Sequence, residues 1–219
     1  MNRLRYRALE EIHSAYQERG DPIRARLDQF AAVPPQELFY ELAYCILTPQ
    51  SSAAHAEHAV HQLRERGFRE TGFDPTPVLR RSDTYIRFHN TKARRLLDVR
   101  AQFADITLAV DAARERRATS QADNRLLRQW LVTTVRGLGM KEASHFLRNV
   151  GFRDLAILDR HILRNLRHHG VLRSVPATLT TKRYLRIEDQ FRLFAEQIGI
   201  PMDELDLLFW SRETGEIRK

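Results

Sequence analysis

Val135-Arg136-Gly137-Leu138-Gly139-Met140-Lys141 is the run that decides how this chain folds. Before it, Leu126 to Val135 reads as an amphipathic helix; after it, Ala143, Phe146, Leu147 and Val150 recur at helical spacing until Gly151. The run is therefore a short hairpin between two helices. Its glycines accept positive φ and let a partner approach the backbone closely. The helix that begins at Lys141 opens with free N–H groups and the positive end of its dipole, which suit a phosphate. As a bare motif, the same run is equally a plain connector.

Working outward, nearly every segment repeats the helical spacing and none sustains the alternation of a strand, so the fold class is all-α. Leu4, Ala8, Leu9, Ile12, Ala15 and Tyr16 form a stripe that should end near Gly20; Ile23, Leu27 and Phe30 form another, ended by Pro34-Pro35. Helices are expected from about Gln36 to Leu47 and around Ala56, Ala59, Val60 and Leu63. Turn formers fill Thr71 to Pro77, and a basic helix starts near Thr91. Beyond the hairpin, Asp159 precedes a helix with Ile162, Leu163 and Leu166, and two more run from Tyr184 to Ile198 and from Met202 to about Arg212.

The 219 residues carry 36 Lys+Arg against 28 Asp+Glu, a formal net charge of +8 that favours a polyanionic partner such as nucleic acid. The single cysteine, Cys45, lies in the apolar run Leu42 to Leu47, which excludes an intrachain disulfide and a four-cysteine iron–sulfur cluster. Met1 to Arg7 is basic, with no apolar stretch behind it, and no segment is long enough to span a membrane, so a cytoplasmic or nucleoid location is expected. His55, His58 and His61 share a broad helix face, but their rings diverge and no carboxylate or cysteine completes a metal site.

Lys141 stands in the first turn of its helix, where the dipole disfavours a cation and so favours the nucleophilic amine. Asp159 follows the apolar run Leu155-Ala156-Ile157-Leu158 and reads as an N-cap, a role compatible with catalysis.

Two stretches carry a resemblance. Gly137-Leu138-Gly139-Met140-Lys141-Glu142-Ala143-Ser144-His145-Phe146-Leu147-Arg148-Asn149 and Ala156-Ile157-Leu158-Asp159-Arg160-His161-Ile162-Leu163 resemble the archaeal-type 8-oxoguanine DNA glycosylase/AP lyases, the second Ogg class of the helix-hairpin-helix GPD superfamily. A looser likeness runs through Phe39 to Gln50, Arg87 to Ala93 and Glu204 to Trp210, so the resemblance covers most of the chain from about Gln36. It implies a two-lobed, all-helical glycosylase fold without an iron–sulfur cluster: a barrel over residues 36–150, and a second lobe from 1–35 with 151–219, the active site lying in the cleft between.

The resemblance also implies that Lys141 is the nucleophile and Asp159 its catalytic carboxylate, acting as a monomer on double-stranded DNA without metal or redox cofactor. Phe88 and Trp210 match positions that sandwich the extruded base, although each also reads as core. Lys219 matches a terminal lysine whose carboxylate accepts a hydrogen bond from the protonated N7 of 8-oxoguanine. Asp206 either reaches the base, or caps a helix or pairs with an arginine. His161, Arg160 and Arg148 would add contacts or charge at phosphates, with Gly137 and Gly139 in the hairpin, and Gln50 would fill the gap left by the base. Two other readings stand beside this one: a helix-hairpin-helix glycosylase for a different damaged base, and a non-catalytic DNA-binding module.

Overall fold

The helical spacing of the sequence becomes twelve α-helices and no strand in a computed structural model that describes residues 6–116 and 121–217. In chain order they are α1 (Leu9–Ala31), α2 (Leu38–Leu47), α3 (Ala53–Glu65), α4 (Phe68–Thr71), α5 (Thr76–Leu79), α6 (His89–Ala101), α7 (Phe103–Arg116), α8 (Gln121–Thr134), α9 (Met140–Asn149), α10 (Arg160–His168), α11 (Thr181–Ile198) and α12 (Met202–Thr214). No described helix is long and apolar enough to cross a membrane. The chain divides into two compact units, one from the segments up to Ala32 and from Leu147 onward, the other Val33–Phe146.

In the Val33–Phe146 unit, α2 is buried on every side, as a helix apolar all round must be. Phe39 holds its centre, with the rings of Tyr40, Phe68 and Phe103 at centroid distances of 5.3, 5.9 and 5.2 Å. Helices α3 and α6 pack on α2. Fully buried Arg128 on α8 donates to Ser144 Oγ on α9 at 3.0 Å, tying together the two helices of the hairpin. The stretch expected to be turns, Thr71 to Pro77, links the single-turn helices α4 and α5 and takes in only their adjoining ends, and the basic helix is followed directly by α7, the break falling at Gln102.

In the other unit, α1 corrects the expectation of two helices separated at Gly20. Ile12, Tyr16, Gly20, Ile23, Leu27 and Phe30 succeed one another at spacings of three and four, so they are one stripe, and buried Gly20 belongs to it. Pro22 and Glu18, whose carbonyl a residue 22 N–H would otherwise meet, are both exposed residues, so the lost helical bond falls on the solvent-facing side of α1. The unit is tied together by Arg19, which donates to Ser211 O at 2.9 Å, and by the His169 ring, stacked 5.3 Å from Phe209 at 10°. Gly151 has φ +91°, and a Cβ there would lie 2.7 Å from Ala31 Cα, so only glycine lets the end of α9 meet the end of α1.

Candidate active site

The hairpin leaves α8 and re-enters helix at Met140. Gly137 has φ +101°, and a Cβ on it would fall 2.5 Å from Arg95 Cδ, so the turn needs glycine for its dihedral and for the arginine lying over it. Arg95, Arg94 and Arg136, with Thr91, Leu97 and Asp98, line a shallow surface depression. Three guanidinium groups beside a helix-opening turn suit phosphate oxygens. The adjacent Arg94-Arg95 pair in the basic helix was the available signal for this cluster.

Gly139 departs from expectation. Its N–H is not free, because Glu142 Oε2 accepts it at 3.2 Å, the reciprocal half of a capping box. Glu142 Oε1 also lies 3.3 Å from Lys141 Nζ, so one carboxylate closes the helix start and steadies the ammonium beside it. The Gly139-x-x-Glu142 spacing carried that information in the sequence. The Lys141 side chain is 31% exposed, open to a substrate while rooted in α9.

A second polar group in this unit escaped the sequence reading. Lys92 is 2% exposed, and its Nζ donates to Leu47 O at 2.7 Å, Pro49 O at 2.7 Å and Ser51 Oγ at 3.2 Å. Burial, with help from the charges of Arg95 and Lys141 and against that of Glu142, pushes its ammonium down to about 8. These acceptors frame the turn containing Gln50, which is exposed at φ +57°. Phe88 is not core: it is 52% exposed at φ +60°, with the Arg87 guanidinium 5.0 Å over its ring.

In the other unit, Asp159 is the N-cap of α10 and accepts the Ile162 N–H at 2.8 Å on Oδ1. The link before it is buried and fixed from α11: Tyr184 donates its hydroxyl to Ala156 O at 2.6 Å and accepts Leu158 N–H at 3.2 Å, while Glu188 accepts Ala156 N–H at 2.9 Å. Asp159 thus sits at the exit of a rigid segment. Arg160 is exposed, and His161 lies 3.6 Å from Glu213.

Asp206 and Arg148 form a buried ion pair at 3.1 Å, so Arg148 is not the surface cation expected of it. Burial pushes the Asp206 carboxyl up to about 7; Arg148 opposes the rise, and the charges of Asp159 and Asp203 add to it. Neighbouring Asp203 is likewise pushed up to about 6 by burial, although it accepts the Asp154 N–H at 2.9 Å. Trp210 on α12 is half-buried. Lys219 lies outside the described residues.

The three histidines of α3 go separate ways. His55 and His58 meet the backbone oxygens of Tyr85 and Asp83, each at 3.2 Å, and His61 pairs with Glu65.

The all-helical fold is shared with known proteins. Residues 23–200 match the family described as 8-oxoguanine DNA glycosylase, Ogg-HhH type. An 8-oxoguanine DNA glycosylase/AP lyase of Fusobacterium nucleatum is 38% identical over 95% of this chain and 96% of its own. One from Methanocaldococcus jannaschii is 34% identical over 96% and 97%. The crystal structure of the 8-oxoguanine DNA glycosylase of Thermotoga maritima superposes with a TM-score of 0.82 at 30% identity, covering 96% of this chain and 98% of that one. The Methanocaldococcus jannaschii glycosylase/lyase in complex with a 15mer DNA containing 8-oxoguanine does so with a TM-score of 0.81 at 32% identity, covering 96% and 99%. On the family match over residues 23–200 and these near full-length relatives, the chain belongs to the 8-oxoguanine DNA glycosylase/AP lyase family.

Proposed function

We propose that this chain excises 8-oxoguanine from double-stranded DNA and nicks the strand at the resulting abasic site, with Lys141 as nucleophile and Asp159 as its carboxylate. The observation that carries the reading is the setting of Lys141: partly exposed, in the first turn of α9, behind Gly137 and in the unit that holds the arginine cluster. The deprotonated amine attacks C1′ of the extruded nucleotide as the bond from C1′ to the base breaks. The bonding electrons leave with the base, which takes up a proton. Opening of the sugar gives an imine between Nζ and C1′, and loss of a C2′ proton expels the 3′ phosphate.

Asp159 stabilises the positive charge that grows on the sugar during excision. Its Oδ1 is committed to the cap, and the carboxylate keeps a second oxygen for this task. Phe88 and Trp210 offer aromatic faces in place of lost stacking. Gln50 fills the space vacated in the helix, and Gly137, Arg160 and His161 serve the phosphates.

Borohydride reduction during turnover of an 8-oxoguanine duplex tests the reading. A covalent protein–DNA adduct is expected with the wild type and none with Lys141→Gln; a wild type that forms no adduct overturns it. Asparagine caps a helix as well as aspartate does, so Asp159→Asn removes the charge while keeping the cap. It should lower the excision rate by about a hundredfold without changing thermal unfolding.

A further inference from the structure

Gln50 and Phe88 are both exposed non-glycine residues in the left-handed region, each on its own turn of the Val33–Phe146 unit. Left-handed backbone at such residues persists only where the surroundings over-determine it. Here one residue reaches both turns. The Lys92 ammonium takes Leu47 O and Pro49 O, which flank the Gln50 turn, and Ser51 Oγ behind it. Ser51 Oγ in turn accepts the N–H of Arg87 at 3.1 Å, and the Lys92 backbone N–H donates to Phe88 O at 3.0 Å. The result is a closed ring of contacts running from Lys92 to Ser51, Arg87, Phe88 and back to Lys92. His55 adds a tie at Tyr85 O.

The two turns gain little from their own residues. The carbonyl of Leu47 belongs to the last turn of α2, where it has no helical partner, and Pro49 brings no N–H of its own. Lys92, buried and with three donors, satisfies them both from a helix more than forty residues away.

We infer that Lys92 is a positioning residue which, through Ser51, locks the Gln50 and Phe88 turns into a single element, so that filling the gap in the duplex and receiving the displaced base occur together. This rests on the glycosylase reading given above. Lys92 and Ser51 touch neither base nor sugar in this assignment. They act on how readily a paired nucleotide is extruded, and the benefit is greatest where extrusion costs most, at a paired base, and least at a base already unpaired.

The test compares three DNA substrates under single-turnover conditions: 8-oxoguanine paired with cytosine, 8-oxoguanine facing a gap with no partner base, and a preformed abasic site. Lys92→Met keeps an unbranched side chain one atom shorter and removes its donors. Its excision rate on the paired lesion should fall about thirtyfold, with a loss of less than about threefold on the other two substrates. Ser51→Ala, which disturbs only the link between the turns, should show the same order of substrates with a loss of about fivefold on the paired lesion. Lys92→Arg, which retains charge and donors, should recover part of the loss. Equal losses on all three substrates, or no loss in either variant, overturn the assignment. Should Lys92→Met fail to fold, Ser51→Ala alone decides. A wild type that leaves 8-oxoguanine intact but nicks abasic sites overturns the glycosylase reading itself, an outcome distinct from a wild type that excises while the variants match it on the paired lesion.

Discussion

Lys92 and Arg148 are buried cations, one in each unit, and they are accommodated differently. Lys92 is surrounded by neutral oxygens, two carbonyls and a hydroxyl, whereas Arg148 faces the carboxylate of Asp206. Carbonyl dipoles offset only part of a buried charge, so the lysine itself shifts toward neutrality, to about 8. A guanidinium cannot shed its proton, and burial above all carries the Asp206 carboxyl up to about 7 even though Arg148 opposes the rise. Neutral acceptors let Lys92 shape backbone. A charged acceptor makes the Arg148 pair sensitive to pH.

The largest effect should come from breaking the charged pair. Arg148→Met leaves an uncompensated carboxylate in the core and should lower unfolding stability at pH 8 by about 4 kcal/mol, measured by denaturant titration. At pH 5 Asp206 is protonated in the folded chain and the loss should shrink. If the loss is as large at pH 5 as at pH 8, packing of Arg148 on the Phe30 ring 5.3 Å away matters more than charge. Lys92→Met strands two carbonyls and a hydroxyl without a charge left behind, and should lose about 3 kcal/mol, with little difference between pH 5 and pH 7.

The wild type should carry the mark of Asp206 in its own pH profile. A carboxyl whose folded value is raised binds its proton more tightly in the folded chain, so its contribution is fully present below the ordinary aspartate range and is lost as pH rises to about 7. Asp203, raised to about 6, works in the same direction. Between about pH 5 and pH 7, Asp206→Asn should flatten this decline by on the order of 2 kcal/mol. Lys92 has the opposite sign: its folded value is lowered, so stability recovers as pH climbs from about 8 toward the ordinary lysine range. A profile that declines equally in Asp206→Asn and wild type would detach the effect from this carboxyl.

The comparison also explains what could be read from the sequence. The period of the apolar residues is a local property, so the all-helical class, the hairpin around Gly137 and the cap at Asp159 were legible. Gly20 misled because a glycine within a stripe looks the same as one that ends a helix; only the three-and-four spacing from Tyr16 through Gly20 to Ile23 joins the halves. Lys92 drew no reading of its own and Arg148 was expected only to add charge, since their partners lie far along the chain: Leu47 and Pro49 for one, Asp206 for the other. Pairing with an arginine was one of the readings open for Asp206, and only the structure identifies the partner as Arg148. For Phe88 the residue type alone left core packing open beside the base pocket that the resemblance implied; its left-handed backbone, which leaves the ring exposed, has no signature in the residue type.

The smallest expected effect bears most directly on what Lys92 is for. Gln50 adopts φ +57° at a residue that gains nothing from it, which costs about 1 kcal/mol relative to glycine. Gln50→Gly removes that strain but also loosens the unfolded chain, so the net gain in stability should be at most about 0.5 kcal/mol. In a Lys92→Met background the turn is no longer held at Leu47 and Pro49, and is free to relax from the left-handed region. The same Gln50→Gly change should then give no gain or a small loss. A double-mutant cycle in thermal or denaturant unfolding therefore carries a coupling of about 0.5 kcal/mol or more between two residues that share no side-chain bond. Additive changes would mean that the turn keeps its shape without Lys92, and that the neutral acceptors merely accommodate a buried charge instead of using it to impose a conformation.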